Sequence, residues 1–231
     1  GNLSVYELIA FGRYPHLKWN ISYAKEDKMA IDRAIEITNI KELANRKVYE
    51  LSDGQLQKTM IARAVCQNTP IVILDEPTAH LDLNNRVEVI NLLRDLAQNH
   101  NKAILMATHE LDLALQSADR IWLAGPDQPI INGFPEDLVL NGAVDSVFQL
   151  KGFDLRTGRL AIKKGLKKVN LIGTDYDYLW TKNALERNGF CIDESAKIEV
   201  IISRDKEASW VIKKEDEHVV HTLEELITQL N

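Results

Sequence analysis

Apolar positions recur at helical spacing through the first fifty residues, at Leu3, Val5, Leu8 and Ile9 and again at Ala30, Ile31, Ala34, Ile35 and Ile37. Glu26 and Asp27 stand near the start of the second of these helices, where acids suit the helix dipole. The texture then changes to short continuous apolar runs: Ile71 to Leu74, Ala103 to Ala107, and Ile121 to Ala124. Between the first two lies a helix with Val89, Leu92, Leu93 and Leu96 on one face. Apolar strands alternating with amphipathic helices predict a parallel sheet covered on both faces. Beyond about residue 165 the pattern predicts a second, smaller α/β unit. Its strands fall at 169–172, 197–202 and 209–213, with a helix at 180–187. A last helix carries Leu223, Leu226, Ile227 and Leu230, with Thr222 as cap and Glu225 three residues on.

The 231 residues are 45% hydrophobic and 27% charged, the balance of a globular protein able to bury a core. A net charge of −6 argues against a nucleic-acid partner, which needs a concentrated basic patch. The densest basic stretch, Lys163, Lys164, Lys167 and Lys168, falls at the expected connector between the two units and reads as solvated. Two distant cysteines, Cys66 and Cys191, give no disulfide framework and suit a reducing compartment. No apolar run approaches the roughly 20 residues of a membrane span, and no signal peptide is evident, so a cytosolic location is expected.

Chemistry gathers at the strand ends. The first apolar run closes on Asp75-Glu76, the second on Thr108-His109-Glu110, and the carboxyl ends of parallel strands are where ligands bind in such sheets. Neighbouring carboxylates on a strand point opposite ways, so one can face a metal and the other a water. His109 could donate a hydrogen bond to a terminal phosphate. Upstream, Leu51-Ser52-Asp53-Gly54-Gln55 opens a helix whose free N–H groups suit an anion. Taken singly, each of these has an ordinary structural explanation: solvated acids, a surface histidine, a helix cap.

Their order and spacing carry more. Leu51 to Gln55 is followed on the same helix by Ala62-Arg63-Ala64, then by Ile71-Val72-Ile73-Leu74-Asp75-Glu76-Pro77-Thr78, His80-Leu81-Asp82 and Ala107-Thr108-His109-Glu110. This series resembles the signature motif, Walker B strand, D-loop and switch histidine of the ABC ATPase family over residues 1 to about 160. Glu7 to His16, ending Gly12-Arg13-Tyr14-Pro15-His16, is similar to the opening of the helical subdomain in importers of iron–siderophore complexes, haem and cobalamin. The resemblance implies an α/β fold of the P-loop NTPase type: a helical subdomain at 1–50, a cassette core with a mostly parallel sheet at 51–160, and a small α/β domain at 166–231. It also implies ATP and Mg²⁺ as cofactors. Glu76 would act on the hydrolytic water, Asp75 would partner Mg²⁺, and His109 would contact the γ-phosphate. Ser52, Gly54 and Gln55 would cover ATP held by an opposing cassette, and Asp82 would couple the two sites. A second ATPase subunit and an integral-membrane permease are the implied partners, on the cytoplasmic face of the membrane. A non-transport ABC ATPase of translation or DNA repair, or a regulatory protein without catalysis, are the alternatives.

Two departures accompany the resemblance. Asp53 stands where the family pattern has Gly, and is expected to cap the helix. No G-x-x-x-x-G-K-[ST] segment occurs, and the glutamine that family members carry ahead of the helical subdomain is missing too; both are expected upstream of Gly1. The 231 residues alone are therefore expected neither to grip ATP tightly nor to hydrolyse it, and removal of the strand that carries this loop in the family is expected to leave apolar sheet edges exposed. For the C-terminal unit a ligand- or partner-sensing role is one expectation, with Tyr176, Tyr178 and Trp180 as a possible aromatic wall or as ordinary packing.

Overall fold

The computed structural model describes residues 2–17, 22–126, 128–148, 153–154, 159–160, 167–204, 208–214 and 216–231. Lys163 and Lys164 of the basic stretch lie outside them. The chain divides into two compact units, Gly1–Leu138 and Val139–Asn231.

In the first unit α1 (Val5–Ala10) runs into a 3₁₀ segment, Phe11–His16, and is followed by α2 (Lys25–Ile37) and α3 (Asp53–Cys66). Then come β1 (Ile71–Asp75), α4 (Leu83–Asn99), β2 (Ala103–Ala107), α5 (Leu111–Ser117), β3 (Ile121–Leu123) and β4 (Ile131–Gly133). Helix starts are written locally. Ser52 and Asp82 accept the amides of Gln55 and Asn85, and Asp27 accepts the amide of Ala24. Helix ends share a device: Asn39, Asn68 and Asn101, just past α2, α3 and α4, take φ of 53°, 55° and 52°. Asparagine tolerates this left-handed conformation, which turns the chain off the helix axis.

Strands β1 and β2 pair in parallel, Ile71 opposite Ala103 through Asp75 opposite Ala107. Alternation divides them cleanly. Val72 is buried, and Leu74, Ile104 and Met106 pack on a core that includes Ile9, Ile31, Ile61, Val89 and Leu96, whereas Ile71, Ile73 and Leu105 are exposed. The expected coverage of both faces thus fails for this pair, because among the described residues nothing packs on the outward side. The third run differs too: β3 pairs antiparallel with β4, so it forms a hairpin and does not extend the parallel pair.

Helix α6 (Pro135–Leu140) spans the division, and α7 (Ala143–Phe148), β5 (Phe153–Asp154) and β6 (Arg159–Leu160) follow. The second unit then builds β7 (Lys167–Ile172), α8 (Asp175–Arg187), β8 (Phe190–Ile192), β9 (Glu199–Arg204), β10 (Ala208–Lys213), β11 (Glu217–Val220) and α9 (Leu223–Leu230). The sheet order is β11-β10-β9-β7-β8, with β7 parallel to β8 and β9 and the other pairs antiparallel. Val169, Leu185, Phe190, Val200, Ile212 and Leu226 form its core, into which Trp210 Nε1 donates to Thr181 Oγ1 at 2.8 Å.

Candidate functional site

Glu76 follows the last residue of β1. Its amide bonds Ala107 O on β2 at 2.9 Å, and its backbone takes φ 47°. A left-handed glutamate is sparsely populated and costs on the order of 1 kcal/mol or more. The turn aims the side chain across the strand ends to His109, whose Nδ1 lies 2.7 Å from Glu76 Oε1. The glutamate raises the pKa of His109, chiefly through this hydrogen bond and then through its charge. The other oxygen, Glu76 Oε2, is buried with no protein partner. A carboxylate oxygen left this way is an unmet acceptor, which a water can satisfy. Asp75, exposed beside it, presents a second carboxylate.

A network unforeseen in the sequence braces this turn. Thr78, wholly buried, donates its hydroxyl to Glu110, the residue after His109. Glu110 also pairs with Arg86 Nη1 at 2.9 Å, and Arg86 Nε donates to Leu81 O at 2.9 Å. The acid-bearing turn, the histidine turn and the first turns of α4 are thereby tied together. The available signal was the pair of polar residues, Thr78 and Glu110, just beyond the two strand ends.

Ser52 caps α3 in a reciprocal box: its Oγ accepts Gln55 N at 3.3 Å while Gln55 Oε1 accepts Ser52 N at 3.1 Å. The expected capping by Asp53 is therefore wrong. Ser52 holds the cap, and Asp53 is an exposed first-turn acid, a position the helix dipole favours. Gly54 faces the Asn85 side chain closely: a Cβ there would stand 2.2 Å from Asn85 Oδ1, so that side chain would have to turn aside. Asn85 in turn donates through N and Nδ2 to the two oxygens of Asp82, each at 2.8 Å. Gly54 and Asp82 thus meet through Asn85, a residue sequence reasoning passed over. The Glu76–His109 pair and the Ser52–Gln55 box form two separate groups, with no hydrogen bond between them among the described residues.

Among the described residues no three metal-ligating side chains converge. Mg²⁺ is commonly held by one or two carboxylates together with substrate phosphates, and Asp75 and Glu76 offer two adjacent carboxylates. The orphaned Glu76 Oε2 beside Asp75 is consistent with a site completed by a nucleotide and water.

In the second unit, Thr174, Asp175, Tyr176, Asp177, Ile202 and Arg204 line an open depression of about 270 Å³ at the ends of β7 and β9. Asp177 is paired with Arg204 at 3.1 Å. The three aromatics do not share one wall: Tyr176 and Trp180 stack edge-on and exposed, while Tyr178 packs on the core.

The first unit, with acids and histidine at adjoining ends of parallel strands and a capped helix ahead of them, has the fold of an ATP-binding cassette ATPase. An inward-facing ABC transporter of the metal-chelate type superposes with a TM-score of 0.61 at 30% identity, over 65% of this chain and 59% of that one. Residues 2–79 match the model of the ABC transporter family and residues 166–231 that of the iron ABC transporter C-terminal domain. Among curated relatives, the petrobactin import ATP-binding protein FpuD of Bacillus anthracis is 36% identical over 64% of this chain and 55% of its own length. The achromobactin transport ATP-binding protein CbrD of Dickeya dadantii is 36% identical over the same shares, 64% and 55%. The chain spans about half the length of the curated relatives it matches. Among the described residues no helix is long and apolar enough to cross a membrane.

Proposed function

We propose that the chain is the ATP-hydrolysing subunit of an ABC importer for iron–siderophore, haem or cobalamin-like compounds. The observation that carries this reading is the Glu76–His109 pair at the ends of two parallel strands, with Glu76 Oε2 left free for a water. The siderophores in the relatives' names and the iron-transporter domain at residues 166–231 favour the substrate class.

In this reading Glu76 orients the attacking water through Oε2 and accepts its proton. His109, held by Glu76 through Nδ1, turns its Nε2 toward the terminal phosphate. Asp75 would hold Mg²⁺, which would neutralise phosphate charge. The first turn of α3, with Ser52, Gly54 and Gln55, offers N–H and hydroxyl donors to ATP held by an opposing cassette, and Asp82 lies at that seam. Residues 1–231 contain no G-x-x-x-x-G-K-[ST] sequence, so they supply these groups and not the loop that cradles the β- and γ-phosphates. A second cassette and a membrane permease are the partners, which places the protein peripherally on the cytoplasmic face of the membrane.

The test joins the phosphate-loop segment of a curated relative ahead of residue 1 and measures Mg²⁺-dependent ATP hydrolysis. Turnover is expected from the chimaera and none from the 231 residues alone. Glu76→Gln should lower turnover at least about 100-fold, about 2.7 kcal/mol of barrier, with ATP binding retained. A chimaera that binds ATP and keeps its turnover with Glu76→Gln would sink the assignment.

A further inference from the structure

The stretch Gly12-Arg13-Tyr14-Pro15-His16 lies apart from Glu76 and His109 in the chain, and the proposed chemistry gives it no task. Its side chains and backbone nevertheless converge on one place, the carboxyl end of α3. Arg13, 8% exposed, donates through Nη1 to Cys66 O at 3.0 Å. His16 Nε2 lies 2.9 Å from Gln67 O, and since a carbonyl only accepts, this nitrogen carries the proton. Gly12 lies against Arg63 O so closely that a Cβ would come within 2.3 Å of it. Arg63 and Cys66 are among the last four residues of α3, whose carbonyls have no partner within the helix and sit at the negative end of its dipole. Two donors and a flat backbone are thus spent on that one helix end.

The stretch is itself anchored. Arg13 Nε donates to Asp27 Oδ1 at 2.9 Å, and Asp27 Oδ2 accepts Ala24 N at 3.0 Å at the start of α2. Tyr14 stacks on Phe11 with ring centroids 5.2 Å apart, folding the segment back on itself. The guanidinium therefore ties three elements, the segment after α1, α2 and the end of α3, through donors fixed in one plane.

Helix α3, 14 residues or about 21 Å long, carries Ser52, Gly54 and Gln55 at its other end. There, Gly54 lies directly against the Asn85 side chain, which is held by Asp82. A helix abutted so closely at its front cannot shift at its back without disturbing that fit. We infer that Gly12-Arg13-Tyr14-Pro15-His16 is a clamp that sets the position of the helix presenting Ser52, Gly54 and Gln55, with Arg13 as its central positioning residue. The value of this for nucleotide hydrolysis rests on the reading proposed above; the clamp itself does not.

The experiment measures amide hydrogen exchange in the 231-residue chain. Arg13→Lys keeps the charge but replaces two donors fixed in one plane by a single nitrogen on a flexible stem. It should speed exchange about tenfold at Asn68, past the clamped end, and at least threefold at Leu56, whose amide bonds Ser52 O at 2.8 Å in the first turn of α3. Leu171 of β7, in the other unit, should stay within twofold. Should Arg13→Lys fail to fold, exposed His16 gives the same comparison: His16→Ala should speed Leu56, and His16→Gln, which keeps a donor, should restore it. Acceleration at Asn68 with Leu56 unchanged would reduce the stretch to a local cap and overturn the inference. In the phosphate-loop chimaera, Arg13→Lys should lower turnover at least threefold with single-cassette ATP affinity unchanged. An inactive chimaera would count against the assigned function and leave the exchange result standing.

Discussion

The two units of this chain use the same local device with opposite results. In the first, β1 is followed by Glu76, an acid with φ 47°; in the second, β7 is followed by Gly173, Thr174 and Asp175, an acid with φ 60°. Both acids stand at the carboxyl end of a parallel strand, where open sheets bind ligands. Asp175 is satisfied by its neighbour, accepting Thr174 Oγ1 at 2.8 Å, and Asp177 beside it is neutralised by Arg204. Glu76 instead reaches a titratable partner on the next strand and leaves one oxygen buried and unpaired. Position in a fold therefore nominates a site, and an unmet polar atom beside a mobile proton distinguishes it. The sheets differ likewise. The second unit closes five strands over its own core, whereas the first leaves Ile71, Ile73 and Leu105 open on a two-stranded pair.

This contrast can be broken most forcefully in the second unit. Phe190, 2% exposed, is the largest fully buried side chain among the described residues, and Phe190→Ala should cost about 4 kcal/mol through lost transfer and the cavity left behind. If the second unit is self-sufficient, circular dichroism under denaturant should show its transition move while hydrogen exchange at Leu93 and Leu96 of α4 stays as in the parent. A matching loss of protection in α4 would show that the two cores fold as one.

The first unit leans instead on a buried ion pair. Asp27→Asn strands the Arg13 guanidinium in a site with little water and should cost about 3 kcal/mol. The same pair sets a pH dependence. The Arg13 hydrogen bond, with the Ala24 amide, holds the Asp27 carboxyl below its ordinary value. A carboxylate depressed on folding contributes stability above its unfolded pKa of about 4, lost as pH falls through the folded value. Stability of the first unit should therefore decline below about pH 4, and Asp27→Asn should flatten that decline. An acid limb unchanged by the substitution would assign it to other carboxylates.

How far residues alone could foresee this arrangement follows from what holds each part. The parallel pair, α4 and the cap of α9 at Thr222 are local or strongly periodic, and they lie where the pattern puts them. Helix α8 starts at Asp175, five residues ahead of its apolar signal at Trp180, because Asp175 and Asp177 in the first turn favour a helix start without adding hydrophobic periodicity. Strand β8 is three residues long, and β11 is exposed at Glu217, His218 and Val219, so neither carries alternation. At the site, Glu76 and His109 were legible because each ends an apolar run. The Arg86–Glu110–Thr78 network and the Asn85 bridge were not, since they depend on contacts between residues up to 32 positions apart. The placement of Asp53 erred for a simpler reason: two neighbouring residues can both cap, and Ser52 does.

The smallest effect sharpens the comparison most. Each unit has a helix opened by the same reciprocal chemistry: Ser52 with Gln55 in the first, Thr222 with Glu225 in the second. In the second unit the box is completed one residue earlier, Glu225 accepting the amide of His221 at 2.9 Å. Ser52→Ala and Thr222→Ala each remove one hydroxyl acceptor from a helix N-terminus and should cost about 1 kcal/mol alike. Denaturant midpoints should therefore not tell them apart. ATP hydrolysis by the phosphate-loop chimaera should: Ser52→Ala withdraws a donor from the nucleotide as well as a cap, and turnover should fall at least about tenfold, or about 1.4 kcal/mol of barrier, while Thr222→Ala leaves it unchanged. Equal turnover in the two variants would mean that Ser52, like Thr222, only holds its helix, and that the first turn of α3 does not meet ATP.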